Sequence, residues 1–389
     1  MEDKKQVKKL NVPNLRFPEF TDEWKCFLLS DLLDFFPTNS LSWDQLEYGK
    51  GDLRNLHYGL IHVGLQTLVD LSKNQLPIVK SNNFPRNFEI IKEGDVAFAD
   101  ASEDTNDVAK AIEFIYTDDI PSICGLHTIH GRDKLNLTVP GFKGYYFSSN
   151  AFHDQVKRIA QGTKIFSVSP KLLSECKICL PSSLEQKKIS SLLSLIDERI
   201  DTQNKIIDKL QSLMSGIAES LTAKTPNTKI ADCLVCHSSS LQENQVGPLE
   251  KYKVFGANSV CGFTDQPDII TDSILIVKDG SGVGTVSYAE GKYSVIGTSN
   301  YLTAKDGYLL RYLYYCLMCF NFTPYKTGMA IPHIYFKDYG KAKIYCPAIE
   351  EQRKIAAALS KIERKIEIEQ SIMQQYSMQK QYLLQQMFI

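Results

Sequence analysis

Apolar residues recur in alternating steps of four and three along two stretches of the chain. The first series is Ile189, Leu193, Ile196, Ile200, Gln203, Ile207, Leu210, Met214, Ile217 and Leu221. The second is Ile355, Leu359, Ile362, Ile366, Glu369, Met373, Tyr376, Lys380, Leu383 and Met387. A mean step of 3.5 residues held over several turns predicts a coiled-coil seam, because it keeps one apolar line facing a partner helix. A lone amphipathic helix packed on its own domain also shows an apolar face, but averages only about 11–12 residues. Each series carries a polar member at the same step, Gln203 or Glu369. Two such helices in one chain can pair. Ile189, Leu193, Ile196, Ile200, Gln203 and Ile207, with Ile355, Leu359, Ile362, Ile366, Glu369 and Met373, are therefore read as helix-pairing positions.

Ahead of each helix the pattern is shorter and mixed. The runs YGLIHVG from Tyr58, GDVAFADAS from Gly94 and SICGLHTI from Ser122 are β-rich and separated by turn residues. KYKVFGANS from Lys251, DSILIVKDGSG from Asp272 and YSVIGTSNYL from Tyr293 hold comparable places later on. An aromatic-rich helical stretch follows in each, at Tyr145-Tyr146-Phe147 and from Tyr312 to Phe322. The fold expected is α+β, two globular domains with two long coiled-coil helices. The boundaries are an N-terminal segment 1–23, a domain 24–180, a helix 181–221, a polar linker 222–228, a domain 229–346 and a helix 347–389.

The two halves repeat each other at a spacing of 166 residues. Between 162 and 210, 15 of 49 positions match the second copy without a gap, where ordinary composition gives about 3. The identities include Gly162/Gly328, Lys177/Lys343, Ile178/Ile344, Pro181/Pro347, Glu185/Glu351, Gln186/Gln352, Ile189/Ile355 and Ile196/Ile362. A period this long marks duplicated domains rather than a solenoid.

Bulk charge says little about partners: the net charge is -1, with 43% hydrophobic and 23% charged residues. Locally it is uneven. Ten acidic residues against two lysines lie between Glu89 and Asp119, whereas Gly141 to Lys188 carries eight basic residues against three acids. Lys305 to Tyr345 carries six against two. Such patches can grip phosphate or be ordinary solvated charge. The start of the chain has no apolar run of a secretory signal, and the longest apolar stretch, the 14 residues from Leu309 to Phe322, is too short for a bilayer. Ten cysteines without a signal read as reduced thiols in a cytoplasm.

Several motifs imitate catalytic or metal chemistry. Gly280-Ser-Gly-Val-Gly284 lacks the lysine–threonine pair of a phosphate loop and the spacing of a dinucleotide fingerprint, so it reads as a tight hairpin whose amides could still meet phosphate. Cys176/Cys179, Cys233/Cys236 and Cys316/Cys319 have two-residue spacing, but zinc requires four convergent ligands. Pro267-Asp268 with Glu290-Gly291-Lys292 imitates a nuclease core, and Asn321-Phe-Thr-Pro324-Tyr325 imitates an adenine methyltransferase tetrapeptide with the wrong spacing. No catalytic or metal-binding residue is assigned.

The opening PNLRFPEFTDEW, the helix openings LPSSLEQKKISSLL and CPAIEEQRKIAAAL, and the phrases YKVFGANSVCGFTD and ILIVKDGSGVGTV resemble the DNA-specificity subunits of type I restriction–modification systems. The likeness covers nearly the whole chain, and the paired helix openings are its most specific part. It implies two target-recognition domains, each reading half of a split site in double-stranded DNA. It further implies antiparallel helices that space the domains and dock two methyltransferase subunits, with motor–nuclease subunits completing the complex. No cofactor is then expected in this chain; S-adenosylmethionine, ATP and Mg would belong to the partner subunits. No membrane partner is implied. Divergence between Leu53 and His153 suits a region that sets sequence preference. The 37 residues from Glu185 to Leu221 make about 55 Å of helix, roughly 16 base pairs at about 3.4 Å each. The rival readings are a DNA-modifying enzyme with its own recognition half and a coiled-coil adaptor that never touches DNA.

Candidate DNA contacts lie where each repeated motif opens. Gly162, Thr163 and Lys164 lie there in the first copy, and Gly328 with His333 in the second. Glycine permits close backbone approach and lysine suits phosphate, although the glycines could serve only to shape a turn. Lys143, Lys157, Arg158 and Lys326 add to the basic patches.

Overall fold

The computed structural model describes residues 11–222, 224–248, 251–257, 259–329 and 331–389. The first ten residues of the expected N-terminal segment, linker position 223 and the side chain of the seam residue Leu221 lie outside the described residues. Contacts divide the chain into two compact units. One runs to Asp201 and takes up Met373–Ile389; the other is Thr202–Ile372. Two long helices, Ser183–Thr222 of 40 residues and Ile349–Gln386 of 38, each contribute to both units. The architecture is α+β, with two mixed domains and two coiled-coil helices.

In the first unit a five-stranded sheet runs in the order Leu33–Phe36, Thr128–Asp133, Val96–Ala99, Ala111–Tyr116, Leu68–Asp70. Its neighbours are antiparallel except the last pair. Val96–Ala99 is buried at all four positions, which explains an apolar run without alternation. The helices Phe142–Phe147 and Asn150–Ile159 cover this sheet, setting Phe147 and Phe152 against Phe98. The segment YGLIHVG departs from its β-rich reading: Tyr58–His62 is a short helix. His57 caps it, its Nδ1 accepting the Gly59 N–H at 3.2 Å, so a side chain off the apolar pattern decides the local structure.

In the second unit an antiparallel sheet runs Leu234–Ser238, Ser299–Ala304, Ser273–Val277, Val286–Ala289. Gly280–Gly284 lies in the connection between the last two strands named, as a hairpin loop. The helix Leu310–Met318 buries Tyr312, Leu313, Tyr315 and Leu317 against Ile274, Ile276 and Leu302.

The helices pair within each unit. In the first, Ile189, Leu193 and Ile196 share a core with Leu383 and Met387, and Asp197 meets Lys380 at 2.6 Å. In the second, Ile207 and Ile366 are buried, Gln203 bonds Glu369, and Lys224 meets Glu351 at 3.2 Å. As numbers rise on one helix they fall on the other, which is an antiparallel pair. The buried Gln203–Glu369 bond joins the polar members that the two seams carry at the same step.

The expectation that all ten thiols are free is corrected: Cys26 and Cys179 form a disulfide. The strands Lys25–Leu28 and Lys177–Leu180 pair antiparallel, and their register sets the two cysteines directly opposite. No helix among the described residues is long and apolar enough to cross a membrane.

Candidate nucleic-acid interface

The glycines of the repeated motif sit in two hairpins of the same build. Gln161 and Ser167 exchange N–H···O bonds of 2.9 and 2.8 Å, and Thr327 and His333, 166 positions on, exchange bonds of 2.8 and 2.7 Å. Gly162 has φ 131° and Gly328 φ 88°. A Cβ would lie 1.9 Å from the Ile165 carbonyl oxygen at the first and 2.4 Å from that of Ile331 at the second. Only glycine closes this turn. The tips are solvent-facing: Ile165 is 61% exposed, Ile331 58%, and Thr163 and Lys164 are exposed.

Each hairpin is braced by a second loop that leaves the main sheet. In the first unit Phe166–Ser167 pairs with Ala101–Ser102, and the Val168 N–H donates to the Asp100 carbonyl at 2.8 Å. In the second, Asp279 bridges to His333, the Gly280 N–H donates to Pro332 at 3.0 Å, and the Ile334 N–H donates to Lys278 at 2.9 Å. His333 Nδ1 lies 2.7 Å from the Asp279 carboxylate. The glycine-rich loop Gly280–Gly284 thus adjoins the Gly328 hairpin. Sequence reasoning missed the pairing, because the bracing loops follow strands with no shared wording.

The rest of the repeated motif has a structural reason too. Gln186 Nε2 donates to the Pro181 carbonyl at 3.0 Å and its Oε1 accepts the Val139 N–H at 3.0 Å. Gln352 donates to Pro347 at 2.8 Å and accepts the Leu309 N–H at 3.0 Å. Each glutamine ties the start of its long helix to the segment before the aromatic helix. The neighbouring acids are also paired: Arg16 forks onto Glu185, and Lys224 reaches Glu351. Arg16-Phe-Pro18 of the N-terminal segment therefore does the work that Lys224-Thr-Pro226 does in the linker. Tyr145 donates to Asp197 at 2.9 Å where, 166 positions on, Arg311 donates to Glu363 at 2.6 Å.

The other candidates scatter. Lys157 and Arg158 are exposed in the last turn of Asn150–Ile159, the helix that leads into the Gly162 hairpin, and Lys326 is exposed just before Gly328. Lys143 is a correction. It is 1% exposed, 3.0 Å from the Glu113 carboxylate, and donates to Thr138 at 2.6 Å, so it neutralises a buried acid and presents no charge to a ligand. Burial pushes the Glu113 carboxyl up, against the opposing pull of Lys143. Part of the acidic run is paired as well, since Asp95 and Glu89 hold Arg132 and Asp118 holds Arg54. Among the described residues the seam positions are buried or half-buried, whereas Leu195, Leu213, Ile368, Met378 and Tyr382 are exposed on the helices.

The chain belongs to the type I restriction modification DNA specificity family, whose domain profile matches residues 22–212 and 235–375. It is a specificity subunit with DNA-recognition domains. Over 263 residues it is 22% identical to a protein of Mycoplasma genitalium described as a type I specificity subunit, a match covering 62% of this chain and 68% of that protein. It is 24% identical over 112 residues to the specificity subunit of the type I restriction enzyme EcoprrI of Escherichia coli; the match covers 29% of this chain and 28% of that relative's length. The crystal structure of the S subunit of a type I restriction–modification system from M. genitalium has a similar fold, with TM-score 0.64, 16% identity, and 97% of this chain and 99% of that one covered.

Proposed function

We propose that each domain reads one half of a bipartite site in double-stranded DNA, and that the paired helices space the domains and dock two methyltransferase subunits. Motor–nuclease subunits complete the complex. Catalysis belongs to the partners, which bring S-adenosylmethionine, ATP and Mg; this chain supplies recognition. The observation that carries the reading is the duplicated hairpin with its bracing loop, one set in each unit. A grip made twice in one chain suits two separate contacts on one duplex, as half-site spacing follows protein geometry elsewhere. Gly162, Thr163, Lys164 and Gly328, with Lys157, Arg158, Lys326 and His333, would hold the sugar–phosphate backbone, which positions a protein without specifying sequence. Mapping methylated bases in DNA from cells that carry this subunit and its methyltransferase tests the proposal. The expected result is two short specified segments separated by a fixed unread spacer. One continuous methylated motif, or no methylation dependent on this chain, would overturn it.

A further inference from the structure

Features shared by two readers cannot tell different half-sites apart, so specificity must lie where equivalent positions carry different side chains. One position meets that condition directly. The Asp100 N–H donates to the His127 carbonyl at 3.0 Å, and the Lys278 N–H donates to the Thr298 carbonyl at 2.9 Å. Asp100 and Lys278 are equivalent, since each accepts the matching bond from Val168 or Ile334. His127 and Thr298 therefore occupy one scaffold position with different chemistry. His127 adopts a left-handed φ of 56°, unlike Thr298. A non-glycine residue held there is uncommon, and such backbone conformations cluster at ligand-contacting sites.

His127 is the edge of a run of rings. Tyr58 meets it edge-on at 5.2 Å between centroids, His57 lies 4.7 Å from Tyr58, and Trp43 lies 4.6 Å from His57. Trp43 is 44% exposed and the His127 side chain 49%. The cluster is joined to the Gly162 hairpin through its bracing loop. His62 Nε2 contacts the Ala101 carbonyl oxygen at 3.0 Å, and Ala101 pairs with Ser167. His127 Nδ1 faces the Asp100 carboxylate at 3.1 Å. That partner favours the Nδ1–H tautomer, leaving Nε2 of the neutral ring as an acceptor for the amino group of adenine or cytosine. The indole and phenol add a donor and a donor–acceptor with flat apolar faces.

We propose that Trp43, Tyr58 and His127, oriented by His57 and Asp100, form the surface with which the first domain reads base edges of its half-site. This rests on the DNA-specificity reading above. The Gly162 hairpin beside it fixes the backbone, and the rings discriminate.

The test is selection of bound duplexes from a randomised pool by the full chain and by His127→Asn, Trp43→Ala and Tyr58→Phe variants. Asparagine tolerates the left-handed backbone, so His127→Asn keeps the turn and removes the ring. At least one variant is expected to relax preference about 5- to 150-fold at one or two positions of one half-site. The other half-site and the affinity for random-sequence DNA should stay as in the wild type. Selection unchanged in every variant, or binding weakened equally for all sequences, would overturn the assignment of the rings. A wild-type chain that selects no sequence in either half would instead overturn the specificity reading beneath it.

Discussion

Arg16 forks onto both carboxylate oxygens of Glu185, at 2.7 and 2.8 Å, and Glu185 is 1% exposed. The equivalent pair, Lys224 and Glu351, is a single contact of 3.2 Å between half-exposed groups. The same design is therefore sealed in one unit and solvated in the other. Arg16→Ala strands a buried carboxylate and is expected to cost about 3–5 kcal/mol. Lys224→Ala, at a solvated pair, should cost far less. Denaturant unfolding of both variants checks the contrast, which equal losses would remove.

Lys143→Ala should destabilise by about 3–5 kcal/mol, because it leaves Glu113 buried without its cation. Lys143→Ala with Glu113→Leu should recover much of that loss. In the folded double variant, DNA affinity and its salt dependence are expected to match the wild type. By contrast, replacing Lys164 should weaken binding to all sequences and lower the salt slope by about one. A reduced slope in the double variant would restore Lys143 to the DNA face.

The helices separate two kinds of apolar position. Ile196 is 7% exposed in the seam, and a charge at Ile196→Asp should cost several kcal/mol, on the order of an unpaired buried ion after relaxation. Leu195, one residue earlier, is 59% exposed, so Leu195→Asp should change stability by no more than about 0.5 kcal/mol. On the proposed docking role it should nonetheless weaken association with the methyltransferase. Thermal unfolding and co-purification report the two effects separately. A stable, fully assembling Ile196→Asp chain would refute the seam.

Much of this was legible because periodicity carries it. The spacing from Ile189 to Ile207 and from Ile355 to Met373 is a property of sequence alone, and so is the step shared by Gln203 and Glu369. The identity of Gly162 with Gly328 reflects a turn that admits no Cβ. Lys143 misled because a lysine in a basic stretch looks solvent-facing until Glu113, thirty positions earlier, is folded against it. The equivalence of Arg16 and Lys224 was hidden because two charges and two prolines are too few to align. The ring cluster draws Trp43, His57, Tyr58 and His127 from separated segments, and the spacing along the chain carries no sign that they meet.

Modularity follows from the duplication, because each hairpin and bracing loop lies within one unit. Extending the first long helix near Ser220 should change the unread spacer, each residue adding about 1.5 Å of rise, while both specified halves stay as they were. Methylated-site mapping reads both quantities at once.

The most direct test of two independent readers is an exchange of residues 25–180 for the matching region of another type I specificity subunit. The exchanged subunit is assembled with its methyltransferase, and the methylated sites are mapped. The expected result is a new sequence in one half of the site, with the other half retained. An active complex in which both halves change together would contradict the account.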